Sequence, residues 1–211
     1  MEFTNILDKV ITQPTKIKIL RFLVLYKPEM TGRELARFCN ISPMQAHRTL
    51  NSLSLQGIVT KIRVGNSYVF KLNTHNAVIS ILLKDIFIKE KNLLKEIILN
   101  SFKQFDRKIL SATVFGSIAD GLARPNSDVD LLIVTRDKES LRLIKSELPN
   151  IEVAFYEKTG NRLAPLLISL NELIKKQSTN KTLFNKIING NTIFGRPVKE
   201  LLNGRQNTAQ D

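Results

Sequence analysis

Val114-Phe115-Gly116-Ser117 and, ten residues on, Asp128-Val129-Asp130-Leu131-Leu132-Ile133-Val134 are the stretches whose reading decides the fold. Residues 110–115 have the composition of a strand ending at a glycine, and Gly116-Ser117 is expected to open a short helix. Residues 130–134 read as a buried strand introduced by Asp128. Asp128 and Asp130 stand two apart, so on a strand both side chains point the same way. Two like charges held together repel. A divalent cation removes that repulsion, and Mg²⁺ favours carboxylates combined with substrate phosphates. Gly116 lets a backbone come close, and Ser117 offers N–H and hydroxyl groups to a phosphate. Downstream, residues 137–147 are expected as a helix and 151–156 as a third strand carrying Glu152, a further carboxylate. Residues 163–177 and 182–188 are expected as helices. Carboxylates and a metal at a phosphate-binding bend suit in-line phosphoryl or nucleotidyl transfer.

Gly116-Ser117, ten residues and Asp128-x-Asp130 resemble the signature of the minimal nucleotidyltransferases of the DNA polymerase beta superfamily, over residues 92–198. The resemblance implies that Asp128, Asp130 and a third carboxylate, here Glu152, hold two Mg²⁺ ions on a nucleoside triphosphate. It also implies phosphate contacts from Gly116 and Ser117, with Arg124 and Ser127 as further nucleotide-binding candidates. Two departures stand out. Asp120 occupies a position where many members carry a phosphate-binding Arg, and Glu152 is one methylene longer than the usual Asp. Arg124, in the same loop, is the candidate for the missing positive charge.

Upstream the pattern changes. Pro14 can open a helix. Thr31 with Glu34 makes a capping box ahead of a short helix, residues 32–38. Ser42 caps the next helix, with Pro43 at its first position and Ala46, Leu50 and Leu53 at helical spacing. Two strands, 58–64 and 67–72, flank Gly65-Asn66, a two-residue hairpin turn. Helix, short helix, turn, helix, hairpin is the order of a winged helix-turn-helix. The stretch resembles winged-helix transcription regulators of bacteria and archaea, notably in Leu50-Asn51-Ser52-Leu53 leading to Gly57-Ile58-Val59. In that motif the second helix enters the major groove. The face opposite Ala46, Leu50 and Leu53 would then present Gln45, Arg48, Thr49 and Ser52 to base edges. Ser42 at the helix start would meet a phosphate, and Lys61 and Arg63 on the hairpin would reach the backbone or minor groove. His47 is no metal candidate, since the chain has one other histidine, His75, and no thiol cluster.

Charge supports this division. The 211 residues carry 32 Lys and Arg against 19 Asp and Glu, a net charge of +13, which favours an anionic partner. Residues 1–75 hold +7 of it, while 109–158 are net −2. An acidic stretch inside a basic protein implies a local need for carboxylates. Residues 73–108 read as one helix with apolar side chains on more than one stripe, suited to two partners or to a second copy of the chain. The single cysteine, Cys39, is expected in the core, and no apolar run reaches membrane-spanning length. The polar end after Asn203 is expected to fray.

The expected class is therefore α+β multidomain. A winged-helix DNA-binding domain (1–75) leads through a helical linker (76–91) to a minimal nucleotidyltransferase domain (92–211) with a small mixed sheet. Expected partners are a nucleoside triphosphate, double-stranded DNA, a protein acceptor and a second copy in a homodimer, with no membrane and a cytoplasmic location. Two functions follow. One is Mg²⁺-dependent transfer of a nucleoside monophosphate from an NTP, ATP for instance, to an acceptor. The other is an antitoxin-like transcription regulator whose nucleotidyltransferase domain acts as a catalytically weak sensor or scaffold.

Overall fold

The computed structural model describes residue 7 and residues 10–176 and 181–203. The reading of the tail after Asn203 lies outside the described residues. The chain divides into two compact units, Met1–Leu93 and Leu94–Asp211, both mixing helices with a small sheet.

In the first unit, α1 (Pro14–Leu25) opens on its proline. A short strand β1 (Glu29–Thr31) leads into α2 (Gly32–Phe38), then α3 (Pro43–Leu55). Both of the latter begin with reciprocal capping boxes, Thr31 with Glu34 and Ser42 with Gln45. The hairpin β2 (Val59–Val64) and β3 (Ser67–Leu72) closes with Val64 opposite Ser67. Gly65 supplies the positive φ (56°) that the first turn position needs. The sheet order is β1-β3-β2. Ile19, Leu20 and Leu23 of α1 share one core with Ala46, Leu50 and Leu53 of α3 and with Phe70. Cys39 is buried, and burial pushes its thiol pKa up, so it serves as a small apolar side chain.

The helix expected from residue 73 starts later. Asn73 and Asn76 donate their side-chain amides to Gly57 O, and Asn76 Oδ1 accepts from Val78 N–H. A π-helical stretch, Val78–Leu83, then runs into α4 (Lys84–Phe102). Val78, Ile79, Leu83 and Phe87 are buried in the first core. Ile98 and Phe102 are buried in the second unit's core.

The second unit holds a four-stranded sheet in the order β6-β5-β4-β7, from β4 (Ile109–Val114), β5 (Val129–Thr135), β6 (Leu163–Ser169) and β7 (Asn191–Gly195). Strand β5 lies parallel to β6 and antiparallel to β4. It is apolar at every position from 131 to 134 because both faces of the sheet are covered. Leu131 and Ile133 face a cluster with Ile144 and Phe155 of α5 (Lys138–Thr159) and with Ile98 and Phe102. Leu132 and Val134 face a different cluster with Leu173 of α6 (Leu170–Lys176), Phe184 and Ile187 of α7 (Lys181–Ile188), and Val198 of α8 (Val198–Asn203).

Three expectations fail here. Residues 151–156 are helical, the second half of α5, not a strand. Pro149 sits inside that helix, where a proline forfeits one backbone hydrogen bond and costs about 3 kcal/mol. The spacing Ile144, Leu148, Ile151, Phe155 outweighs it, since burying one helical stripe returns more than that. Residues 163–169 are the third strand rather than a helix, and only residues 170–176 of that stretch are helical among those described. Gly116-Ser117 opens hydrogen-bonded turns, with Asp120 N–H donating to Gly116 O and Leu122 N–H to Ser117 O, rather than a helix.

Candidate functional site

The carboxylate site grows from the end of β4 and the start of β5. Phe115 N–H donates to Asp130 O, which fixes the two strands beside one another where the chain turns away. Gly116 then takes φ 71°, and a Cβ at that position would collide with Asp130 Oδ2. Glycine is required here both for the left-handed backbone and for the space that the carboxylate occupies. Asp130 is half-buried and Asp128 exposed. Burial raises the Asp130 pKa, the nearby Asp128 charge raises it further, and Lys186 acts in the opposite direction. Such a group gains from a bound cation.

The loop before Asp128 is held by its own side chains. Ser127 Oγ accepts from Arg124 N–H at 2.8 Å. Asn161 Nδ2 donates to Pro125 O at 2.8 Å and to Ser127 O at 3.0 Å, and Val129 N–H donates to Arg162 O. Asn161 was not singled out from sequence, because its contacts span 34 and 36 positions and no local pattern reports them. Arg124 is exposed, and Asp120 lies in the turns after Gly116.

Glu152 is not where the sequence put it. It sits on α5 beside Ile151, and α5 packs on the Leu131–Ile133 face of the sheet. Asp130 alternates with those residues and therefore shares the opposite face with Leu132 and Val134. Among the described residues no three His, Cys, Asp or Glu side chains gather into a cation site. On β6 the residue paired with Asp130 is Ala164. The side chains present fit one metal ion shared with substrate phosphates, since Mg²⁺ is commonly held through one or two carboxylates and the phosphates themselves. They do not fit the two-ion set that a third carboxylate would complete.

The first unit offers a second surface. Met44, His47, Arg48 and Leu55 of α3 are exposed and recur at helical spacing, while Asn51 on the same stripe is partly buried. Thr49, expected on that face, is buried at 6 % exposure, because it lies next to Leu50 on the core side. Gln45 is exposed, but its side-chain oxygen accepts from Ser42 N–H and Oγ, so it serves the helix cap. Ser52 is partly buried.

Two residues missed from sequence join the hairpin to the helix. Asn51 Nδ2 donates to His47 Nε2 at 2.9 Å, and Lys61 Nζ donates to Asn51 Oδ1 at 3.1 Å. Lys61 also stands 4.1 Å above the Tyr68 ring. Arg63 Nε donates to Gly65 O at the hairpin turn. Between α2, α3 and the hairpin lies a concave space of about 470 Å³ lined by Arg33, Pro43, His47, Ser67, Tyr68 and Phe70.

Comparison with known proteins places a nucleotidyltransferase domain at residues 95–189. A protein of Methanocaldococcus jannaschii, provisionally named a protein adenylyltransferase, is 30% identical over 86 residues, 40% of this chain and 58% of that protein. The chain thus spans little more than half the length of this curated relative. Among solved structures, one described as a toxin-antitoxin with AMP-PNP overlaps with a TM-score of 0.36 at 14% identity, covering 55% of this chain and 86% of its own. TrmBL2, an archaeal chromatin protein described as showing a novel mode of DNA binding, overlaps with a TM-score of 0.28 at 13% identity, covering 85% and 72%. Neither overlap is close enough to establish a shared fold. No described helix is long and apolar enough to cross a membrane.

Proposed function

We propose that this chain is a DNA-binding regulator whose nucleotidyltransferase domain binds a Mg²⁺–nucleoside triphosphate and transfers its nucleotidyl group slowly. The observation that carries this reading is the pairing of Asp130 with Ala164 on β6. Two carboxylates converge at the Gly116 bend, and the neighbouring strand adds none. Asp128 and Asp130 would hold the metal on the triphosphate, with Gly116 giving room and Ser117 polar contacts. The ion supplies charge neutralisation of the phosphates when bound. A third carboxylate would be needed to assist an acceptor hydroxyl, and the β6 position that faces the site carries a methyl group.

The first unit supports the DNA-binding half of the reading. Its helix, short helix, helix and hairpin follow winged-helix order, and the basic side chains Arg48, Lys61 and Arg63 lie exposed on α3 and the hairpin. Base readout falls to Arg48, and backbone contact to Lys61 and Arg63. The other reading, in which the site is a full catalyst, has the domain match in its favour.

Calorimetric titration with MgATP, paired with transfer of label from α-labelled ATP, separates the two. The expected result is binding that Asp130→Asn weakens by about 30-fold or more, with little transfer. Brisk transfer by the unaltered chain would contradict the weak-catalyst reading, and absence of binding would contradict the site itself.

A further inference from the structure

A triphosphate brings three to four negative charges to a bend that already carries Asp120, Asp128 and Asp130. Some cation must face it from another element. The topology singles one out. Asp130 lies on the same sheet face as Leu132 and Val134, and that face is covered by α7 through Phe184 and Ile187. Lys186 stands between those two anchors in sequence and is itself exposed.

The turn after α7 is pressed onto the end of β4. A Cβ on Gly190 would come 2.6 Å from Val114 O, and Val114 pairs with Asn191. Gly190 thus lets the end of α7 abut the strand just two residues before Gly116. Lys186 precedes Gly190 by about one helical turn. We infer that Lys186 is the phosphate-binding cation of this site, contacting the triphosphate of a nucleotide whose metal is held by Asp128 and Asp130. The electrostatic coupling of Lys186 to Asp130 agrees with that placement. Arg124 stands exposed in the loop before Asp128, and its guanidinium is not among the charges that act on Asp130.

The inference rests on the nucleotide-binding reading above, and the test keeps the two distinguishable. The full chain and its Lys186→Ala and Lys186→Arg variants are titrated with MgATP and, separately, with AMP. For Lys186→Ala the dissociation constant for MgATP should rise at least tenfold, while that for AMP changes less than twofold. Lys186→Arg should retain most of the MgATP affinity, because the charge is kept. The AMP titration also reports whether the variant is folded. If Lys186→Ala binds MgATP as the parent does, or loses MgATP and AMP equally, the role assigned to Lys186 is wrong. If the parent binds neither nucleotide, the reading of the site fails and this inference with it.

Discussion

The two candidate sites are built on opposite principles. On α3 and the β2–β3 hairpin, the proposed DNA surface rests on long side chains standing off the backbone, Arg48, Lys61 and Arg63, of which Lys61 is tied to α3 through the His47–Asn51–Lys61 chain of hydrogen bonds. At the Gly116 bend the proposed nucleotide site rests on the backbone itself. Two glycines, 116 and 190, leave no room for a methyl group beside Asp130 and Val114. A surface of the first kind loses strength by degrees as charges are removed. A site of the second kind is lost at a single step.

Gly116→Ala is therefore the most damaging substitution expected. The new Cβ would drive the Asp130 carboxylate aside, and the left-handed backbone adds about 1 kcal/mol of strain. MgATP binding should vanish in calorimetry while circular dichroism stays that of the parent. Asp130→Asn should follow, weakening MgATP by about 30- to 5,000-fold, the 2–5 kcal/mol typical of one lost partner in a buried charge pair. If Gly116→Ala merely unfolds the second unit, the contrast between the two sites loses its basis.

Ala164→Asp probes the same face from β6. It places a third carboxylate opposite Asp130, and transfer of label from ATP should rise on the order of tenfold or more. No gain would show that the missing carboxylate is not what limits transfer.

For the first unit the expected losses are graded. Alanine at both Lys61 and Arg63 should weaken DNA at every sequence and lower the salt slope of binding by about 1.8, for two phosphate contacts. Asn51→Ala removes the link between helix and hairpin. It should cost about 1 kcal/mol of DNA affinity, roughly fivefold, measured by fluorescence anisotropy. An abrupt, complete loss from Asn51→Ala would mean that the surface is as intolerant as the carboxylate site.

The smallest effects concern the caps. Ser42→Ala should lower stability to denaturant by about 1 kcal/mol. Glu34 accepts hydrogen bonds from Thr31 that hold its pKa below the usual carboxylate value. Its contribution is present above the unfolded carboxylate pKa and fades as pH falls through the lowered folded value. Glu34→Gln should flatten that part of the pH profile of stability, with no change in nucleotide binding.

The first unit was legible because its signals are local. Thr31 with Glu34, Ser42 with Pro43, and Gly65-Asn66 each fix an element within four residues. Strand β1 escaped notice because it is three residues long and exists only by pairing with β3. In the second unit, Asp128 and Asp130 were legible for the same local reason. Residues 148–169 were not. A proline inside a helix is unfavourable, as at Pro149, and the apolar runs on either side of Gly160 fit a helix or a strand equally well until the sheet chose. Glu152 went astray with its supposed strand. Ala164, Asn161, Lys186 and Gly190 reach the bend through topology alone, from elements 30 to 75 positions away, and nothing near them in sequence marks the meeting.

Titration of the full chain with MgATP, in parallel with its Asp130→Asn variant, tests the central claim most directly. Saturable binding of one nucleotide by the parent, weakened by about 30-fold or more in the variant, is the predicted result. Equal binding by both, or none by either, would contradict it.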